Sequence, residues 1–211
     1  MLYHLLRSSA PAVKHAIGAA QGEEMLRPLL HSLTSRAEDL AAHSGELVIL
    51  DFTGIEAATA SFIKATVVRL LKLSQQAADE APADEKAAEG PLLNIYPCVH
   101  GLATEVREEL SEVLVSQRLV CLEAMAWNPT QATAATLYGP LEVSLWNTLQ
   151  KLTGTVGSTA SQLHANHPEE NINVTAWNNR LADLFRLRLV RRVRQGRPWL
   201  YSSIAGEVRR G

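Results

Sequence analysis

The residue types best suited to chemistry lie in the last quarter of the chain, where asparagine and arginine side chains accumulate. Asn178 and Asn179 stand beside Arg180, and a run of arginines follows as Arg-Arg-Val-Arg-Gln-Gly-Arg over 191–197. Asparagine can make paired hydrogen bonds to adenine, and arginine can do the same to guanine or bind a phosphate. These side chains at this spacing indicate contact with a nucleic acid.

The charge of the chain is divided unevenly. From Arg180 to Gly211 there are nine Arg, no Lys and two acids, which gives this tail a charge of +7. The remaining residues hold 11 Lys plus Arg against 20 acids, and the whole chain carries −2. The C-terminal tail is therefore strongly basic although the net charge of the chain is near zero, and such a basic segment favours a nucleic-acid partner.

A helix and a hairpin are the elements that would position these groups. Apolar residues from Val174 to Leu184 repeat at helical spacing and predict a helix over 175–187. Two strands joined at a Gly-Arg-Pro turn are predicted from Val190 to Ser203. Two further helices are predicted before them, over 137–154 and 158–165. The order of three helices and a hairpin is that of a winged helix-turn-helix, which places a helix in the major groove and the hairpin over the backbone.

On this helix the apolar stripe leaves a polar face for reading bases, and the hairpin turn is suited to reach phosphate. Thr175 is also expected to cap the helix, and Arg180 has bracing of the helix as an alternative role. Arg191 and Arg192 are expected to support the turn as screening charges. A solvated helix beside a basic surface remains an alternative interpretation. The predicted DNA-binding residues are Thr175, Asn178, Asn179, Arg180, Arg191, Arg192, Arg194 and Arg197.

The preceding part of the chain predicts an α/β unit, with helices packed on a small sheet. Its predicted strands are Leu47 to Phe52, Leu92 to Tyr96, which Pro97 stops, and Leu119 to Leu122. Helices are predicted through most of residues 1–44, from Thr59 to about Leu73, and from Thr104 to Leu114, with a loop over 74–90. The predicted organisation is therefore an α/β module over 1–126, a linker over 127–136 and a winged helix-turn-helix domain over 137–211.

The segment Leu50-Asp-Phe-Thr-Gly-Ile-Glu-Ala-Ala-Thr-Ala-Ser-Phe62 resembles the STAS domain, particularly a STAS-like family with the motif Asp-Phe-x-Gly-Ile and then Thr/Ser-x-Ser-Phe. The resemblance covers about residues 25 to 125. In anti-anti-sigma STAS proteins a partner kinase phosphorylates a serine at this helix start, and the added charge switches binding. Ser61 matches that serine by position. The Asp-Ser-Ser-Gly of those proteins is here Thr59-Ala-Ser-Phe62, and helix capping is the alternative role.

Residues 140 to 203 resemble the winged-helix regulators of the MarR and related bacterial families. The resemblance lies in Ala176-Trp-Asn-Asn-Arg-Leu-Ala-Asp-Leu184, Leu189-Val-Arg-Arg192 and Gly196-Arg-Pro-Trp-Leu-Tyr201. Those families commonly have Gly before the leucine–valine pair, and this chain has Arg188 there. Because one winged helix offers a small interface, we expect a homodimer that reads two half-sites.

The sequence offers no motif of an enzyme or a metal site. The His residues are scattered, no HExxH, Walker or GxSxG pattern occurs, and Cys98 and Cys121 are expected to be reduced, buried thiols. We therefore expect no catalytic residue, no cofactor and no metal. No apolar run approaches the roughly 18 residues that a membrane helix needs, and no secretory signal is evident, so a cytoplasmic protein is expected.

These observations predict a DNA-binding regulator, most simply a transcriptional one, that binds duplex DNA through a winged helix and protein through a STAS-like module. One alternative is a partner-switch or assembly protein whose winged helix binds protein. Another is the DNA-targeting subunit of a multi-subunit complex, for instance in phage defence.

Overall fold

The computed structural model describes residues 2–5, 14–36, 45–79, 94–128, 131–154, 156–194 and 196–211. Within these ranges the chain forms a mixed α/β structure in which helices cover both faces of a six-stranded sheet. The strands of the sheet, in order across it, are β1 (Leu2–Leu5), β3 (Glu46–Asp51), β5 (Ile95–His100), β6 (Cys121–Trp127), β7 (Ala132–Tyr138) and β10 (Ala205–Arg210).

The first four strands of this sheet run parallel to one another. Strand β7 runs antiparallel to β6, and β10 runs parallel to β7. Two smaller pairings complete the strands of the described residues. They are the parallel pair β2 (His15–Ala16) and β4 (Ala57–Ala58), and the antiparallel hairpin β8 (Val190–Arg194) and β9 (Trp199–Ser203).

Six α-helices occur in the described residues, and a short 3₁₀ helix spans Pro168–Glu170. Helix α2 is continuous but contains a π-helical turn, so its three segments are Ala60–Ile63, Lys64–Val68 and Arg69–Asp79. The others are α1 (Ala19–Ser35), α3 (Thr104–Gln117), α4 (Val143–Leu152), α5 (Ala160–Asn166) and α6 (Val174–Arg186). None of these helices has both the length and the apolar character needed to cross a membrane.

The two faces of the sheet are buried by different helices. Strand β3 is apolar on both faces, as expected of a central parallel strand, and its side chains alternate between the two cores. Val48 and Leu50 pack with α1, α2 and α3, whereas Leu47 and Ile49 belong to the core that α4, α5 and α6 cover. Trp177 of α6 therefore shares a core with strands near the middle of the chain. The predicted units 1–126 and 137–211 are packed against each other through this core.

Two stretches are strands where the sequence suggested otherwise, and one predicted helix begins later than expected. Leu2–Leu5 was expected to be helical, but it pairs in parallel with β3. Residues 132–136 of the predicted linker lie in β7, because β6 and β10 hydrogen-bond to its two edges. The predicted helix over 137–154 accordingly begins only at Val143. Residues 129 and 130 of the linker lie outside the described residues.

The predicted ends of one strand and one helix are also wrong. Pro97 does not end its strand, which runs from Ile95 to His100. Its pairing with β6 begins only at Cys98, so the missing N–H of proline breaks no pairing on that side. Helix α2 continues past Leu73 to Asp79, and Ser74 is buried within it with its hydroxyl donating to the Leu71 carbonyl (2.8 Å). The rest of the predicted loop, 80–90, lies outside the described residues.

Two buried thiols and a buried phenol should make the stability of the fold depend on pH in the alkaline range. Cys98 and Cys121 are both buried and unbridged. Burial raises the pKa of Cys121 from 9.0 to about 12 and raises that of Cys98 well above its ordinary value. Burial also raises the pKa of Tyr138 to about 12, and its hydroxyl donates to the Glu123 carboxylate at 3.0 Å.

We expect the free energy of unfolding to fall as the pH rises from about 9 to about 12. These groups hold their protons more tightly in the folded chain than in the unfolded one, so their stabilisation is complete below pH 9 and is lost above it. Burial lowers the pKa of Arg188 to about 10, which acts in the opposite sense above that pH. Urea unfolding at a series of pH values measures the trend, and Cys121→Ala should make its onset shallower. A urea midpoint that stays constant up to pH 11 would contradict this expectation.

Candidate nucleic-acid interface

Helix α6 presents the predicted base-reading side chains to solvent. Asn173 caps the helix, since its Oδ1 accepts a hydrogen bond from the Ala176 N–H (2.8 Å). The predicted cap at Thr175 is therefore wrong, because Thr175 lies inside the first turn. Trp177 is fully buried, whereas Thr175, Asn178 and Asn179 are exposed. The helix thus has a polar open face opposite its core face.

Arg180 differs from these three residues because it is half-buried at the side of the helix. Its guanidinium lies 5.5 Å from the Trp177 ring centroid, and its Nη1 lies 3.5 Å from Glu170 Oε2. Lys151 also contacts Glu170 (Nζ to Oε1, 3.1 Å), and this hydrogen bond is the largest cause that lowers the pKa of Glu170. These are the contacts of a bracing residue, which was the alternative role for Arg180.

The hairpin carries a stack of cations on aromatic rings. Arg194 pairs with Trp199 across the two strands, and its guanidinium lies 4.2 Å from the centroid of that ring. Arg192 lies 4.3 Å from the Trp199 centroid and 4.1 Å from that of Phe185, at the end of α6. We call Arg192, Arg194 and Trp199 the arginine–tryptophan stack. Cation–π contacts restrict the conformations of long side chains, so they hold Arg192 and Arg194 beside the Trp199 ring.

The turn of the hairpin exposes one more arginine. Gly196 has a φ of +69°, a conformation that glycine adopts without steric cost. Arg197 follows it, is exposed, and accepts a hydrogen bond from Arg194 Nη1 at its main-chain oxygen. The stack and the turn are therefore connected, and together they bring Arg192, Arg194 and Arg197 to one end of the hairpin.

Arg191 points to the other face of β8, because side chains alternate along a strand. It is half-buried, its guanidinium lies 5.6 Å from the centroid of the Tyr96 ring, and burial lowers its pKa. Tyr96 belongs to β5 of the central sheet. The structure thus directs Arg191 inward, away from the stack with which it was predicted to act.

Arg188 is a structural residue that sequence reasoning did not identify. It is only 1% exposed and has a φ of +62°, the left-handed conformation in which a glycine is usually found. Its Nε and Nη2 both donate to the main-chain oxygen of Ser74 in α2, at 2.7 Å for Nε. The departure from glycine at this position was visible in the sequence, but its burial was not.

The nine arginines of the tail do not form a single surface. Arg186 is paired with Asp79 (Nε to Oδ1, 3.3 Å) and with Asp183 (Nη1 to Oδ1, 3.2 Å), which balances charge at the end of α6. Arg209 and Arg210 lie on β10 of the central sheet, beside Glu207 and Trp146 respectively. Among the described residues of the tail, the arginines that are grouped together are therefore those of the hairpin, Arg192, Arg194 and Arg197.

Ser61, the predicted phosphorylation site, is exposed in the first turn of α2. Thr59 caps this helix by accepting hydrogen bonds from Phe62 N (3.4 Å) and Gly18 N (3.0 Å). The Ser61 hydroxyl lies 3.1 Å from that of Thr59. Thr59 therefore performs the capping role at this helix start. Modification of the accessible Ser61 hydroxyl stays a prediction.

Comparisons with protein-family models, with curated proteins and with solved structures give no match for this chain. The function must therefore be inferred from the residues themselves, their exposure and their contacts.

Proposed function

We propose that the chain is a DNA-binding regulator whose C-terminal helices and hairpin act as a winged helix-turn-helix. In this proposal α6 enters the major groove and the β8–β9 hairpin lies over the neighbouring backbone. One observation carries the proposal: the exposed polar face of α6, formed by Thr175, Asn178 and Asn179, belongs to the same helix whose end contacts the arginine–tryptophan stack.

The two parts of this surface would perform different tasks. The asparagine amides can make paired hydrogen bonds to adenine edges, so they would supply selectivity. Arg192, Arg194 and Arg197 would neutralise phosphates, which supplies affinity without selectivity. Because Trp199 already restricts Arg192 and Arg194, less side-chain entropy is lost when they bind.

Three phosphate contacts make a weak interface, which favours binding as a pair of copies. A protein that neutralises three phosphates should show a slope of about −2.7 for the logarithm of affinity against the logarithm of salt concentration. Two copies on two half-sites should double this slope. The N-terminal half, for which a STAS-like role in protein interaction is proposed, would then bind a second copy or another protein.

Selection of bound sequences from a random duplex pool, followed by a salt titration on the selected duplex, tests the proposal. We expect enrichment of a short sequence and a slope of about −3 for one copy, or −5 to −6 for two. Arg209→Ala is a suitable control for charge, since Arg209 lies on β10 and is paired with Glu207. A pool that shows no enrichment, together with affinity that is insensitive to salt, would exclude DNA as the partner.

A second candidate function is a partner-switch or assembly protein that uses the same face of α6 to bind protein. The observation that favours it is the balance of charge at the end of α6, where Asp79 and Asp183 surround Arg186. The acidic side chains would repel a phosphate backbone that came close to this end. The duplex selection distinguishes the two functions, because only the first predicts enrichment.

A further inference from the structure

Helix α2 carries an exposed row of polar side chains that the proposed DNA contacts do not use. The row contains three cations and no acid, and its members are Ser61, Lys64, Arg69, Lys72 and Gln76. We call it the cationic row. In a regular α-helix of 3.6 residues per turn, Lys64 and Arg69 would point about 140° apart.

The π-helical turn brings these two side chains onto one side. The N–H of Arg69 donates to the carbonyl of Lys64, a bond between residues five apart. This bond places Arg69 one wide turn above Lys64. π-Helical turns are uncommon and occur frequently at functional sites. Here the irregularity has a definite result, since it aligns two cations that an α-helix would separate.

A shallow groove of about 630 Å³ runs beside the cationic row, between α1, α2 and the end of α3. Its floor is apolar and includes Ala65, Val68 and Leu73. At one side the Nζ of Lys72 donates to Oε1 of Gln117 in α3 (2.7 Å). The groove thus combines an apolar floor with a positively charged side.

The wall that α1 provides is held closely against the π-helical turn. Gly22 of α1 is buried there, and a Cβ at this position would lie 2.9 Å from the Cβ of Ala65 and 3.0 Å from the Phe62 oxygen. The helices therefore meet at a distance that only glycine permits. The groove thus lies beside a close contact between α1 and α2.

We propose that this groove binds an acidic amphipathic helix of a partner protein. Apolar side chains of such a helix would contact the floor, and its carboxylates would pair with Lys64, Arg69 and Lys72. From Ser61 to Gln76 the row is about 22 Å long at 1.5 Å per residue, which matches about four turns of a bound helix. Helix-in-groove recognition of this kind uses apolar anchors at positions i, i+3, i+4 and i+7.

A protein segment fits the groove better than a nucleic acid does. A phosphate backbone would contact the cations but would gain nothing from the apolar floor, whereas the apolar side chains of an amphipathic helix would be buried against it. This inference rests on the protein-interaction role proposed for the N-terminal half. It does not depend on DNA binding by the hairpin.

A display library of random helical peptides, selected on the full chain and counter-selected on Arg69→Glu, tests this inference. We expect the selected peptides to carry apolar residues at helical spacing flanked by Asp or Glu. Fluorescence anisotropy should then show at least tenfold weaker binding to Arg69→Glu and less than twofold change with Arg209→Glu, an equal change of charge on β10. Both arginines are exposed, so both variants should fold, as circular dichroism can verify.

Selected peptides without acidic enrichment, or with equal affinity for the two variants, would overturn the proposed occupant. Displacement of the peptide by a random duplex of DNA, with Arg69→Glu also weakening the duplex, would indicate a nucleic acid in the groove instead. Arg197→Ala separates the two proposals: it should leave peptide binding unchanged even if it abolishes binding to DNA.

Discussion

Replacement of Arg188 by alanine should lower the free energy of unfolding by about 3 kcal/mol, from the lost hydrogen bonds and the cavity left behind. The guanidinium is buried and donates twice to the Ser74 oxygen, so its removal leaves a buried carbonyl without these donors. Rings also surround it, with the Phe185 centroid at 5.0 Å and the Tyr96 centroid at 5.7 Å. An alanine would fill little of this space.

Replacement of Arg188 by glycine should be less harmful than replacement by alanine, by about 1 kcal/mol. Alanine keeps the steric cost of a φ of +62°, whereas glycine relieves it. Urea unfolding of the two variants measures the difference. Arg209→Ala is the control, since an exposed arginine should change stability by no more than about 0.5 kcal/mol. A stability order with glycine below alanine would show that the backbone conformation at 188 carries no strain.

The Arg188 contact has a consequence for the whole molecule, because it joins residues 114 apart in sequence. Ser74 lies on α2, the helix that carries the cationic row, and Arg188 lies between α6 and β8. The contact therefore fixes the proposed DNA-reading helix against the helix proposed to bind a partner. Asp79 adds a second connection by pairing with Arg186.

Sequence patterns identified the helices and strands whose buried residues recur at a regular spacing along the chain. The apolar spacing around Trp177 and Leu181 located α6 to within one residue at each end, and the run from Leu47 located β3. Strands Leu2–Leu5 and Ala132–Tyr138 were missed for a physical reason. Their place in the sheet depends on pairing with distant strands, and the second is rich in alanine and threonine, which give little apolar signal.

The same contrast holds for the candidate site. Exposure of Asn178 and Asn179 followed from helical spacing, and the structure shows it. The inward direction of Arg191 could also have been derived, since neighbouring side chains of a strand point to opposite faces. Burial of Arg188 could not, because the carbonyl that accepts its hydrogen bonds belongs to a residue distant in sequence.

The substitutions Arg194→Ala and Arg197→Ala, combined, should reduce the salt slope of duplex binding by about two units if one copy binds, or by about four if two copies bind, at 0.9 per lost phosphate contact. Affinity should fall equally for the selected duplex and for a scrambled one, since phosphates carry no sequence information. Asn178→Ala and Asn179→Ala should instead affect the sequence preference and not the salt dependence. Each should leave the slope unchanged and lower the preference for the selected duplex by about 1–3 kcal/mol, or roughly 5- to 150-fold.

Gel-shift titrations of both duplexes at four salt concentrations measure the two quantities for each variant. The crossed design separates a specific surface from a general effect of positive charge, because Arg209→Ala removes the same charge from β10. If Arg209→Ala flattened the slope as much as Arg197→Ala, attraction by the whole tail would explain binding, and the hairpin would have no special role. If instead the asparagine substitutions changed the slope and not the preference, α6 would not lie in the major groove. The proposed interface requires that slope and preference respond to different residues, since backbone contact and base reading are made by different elements.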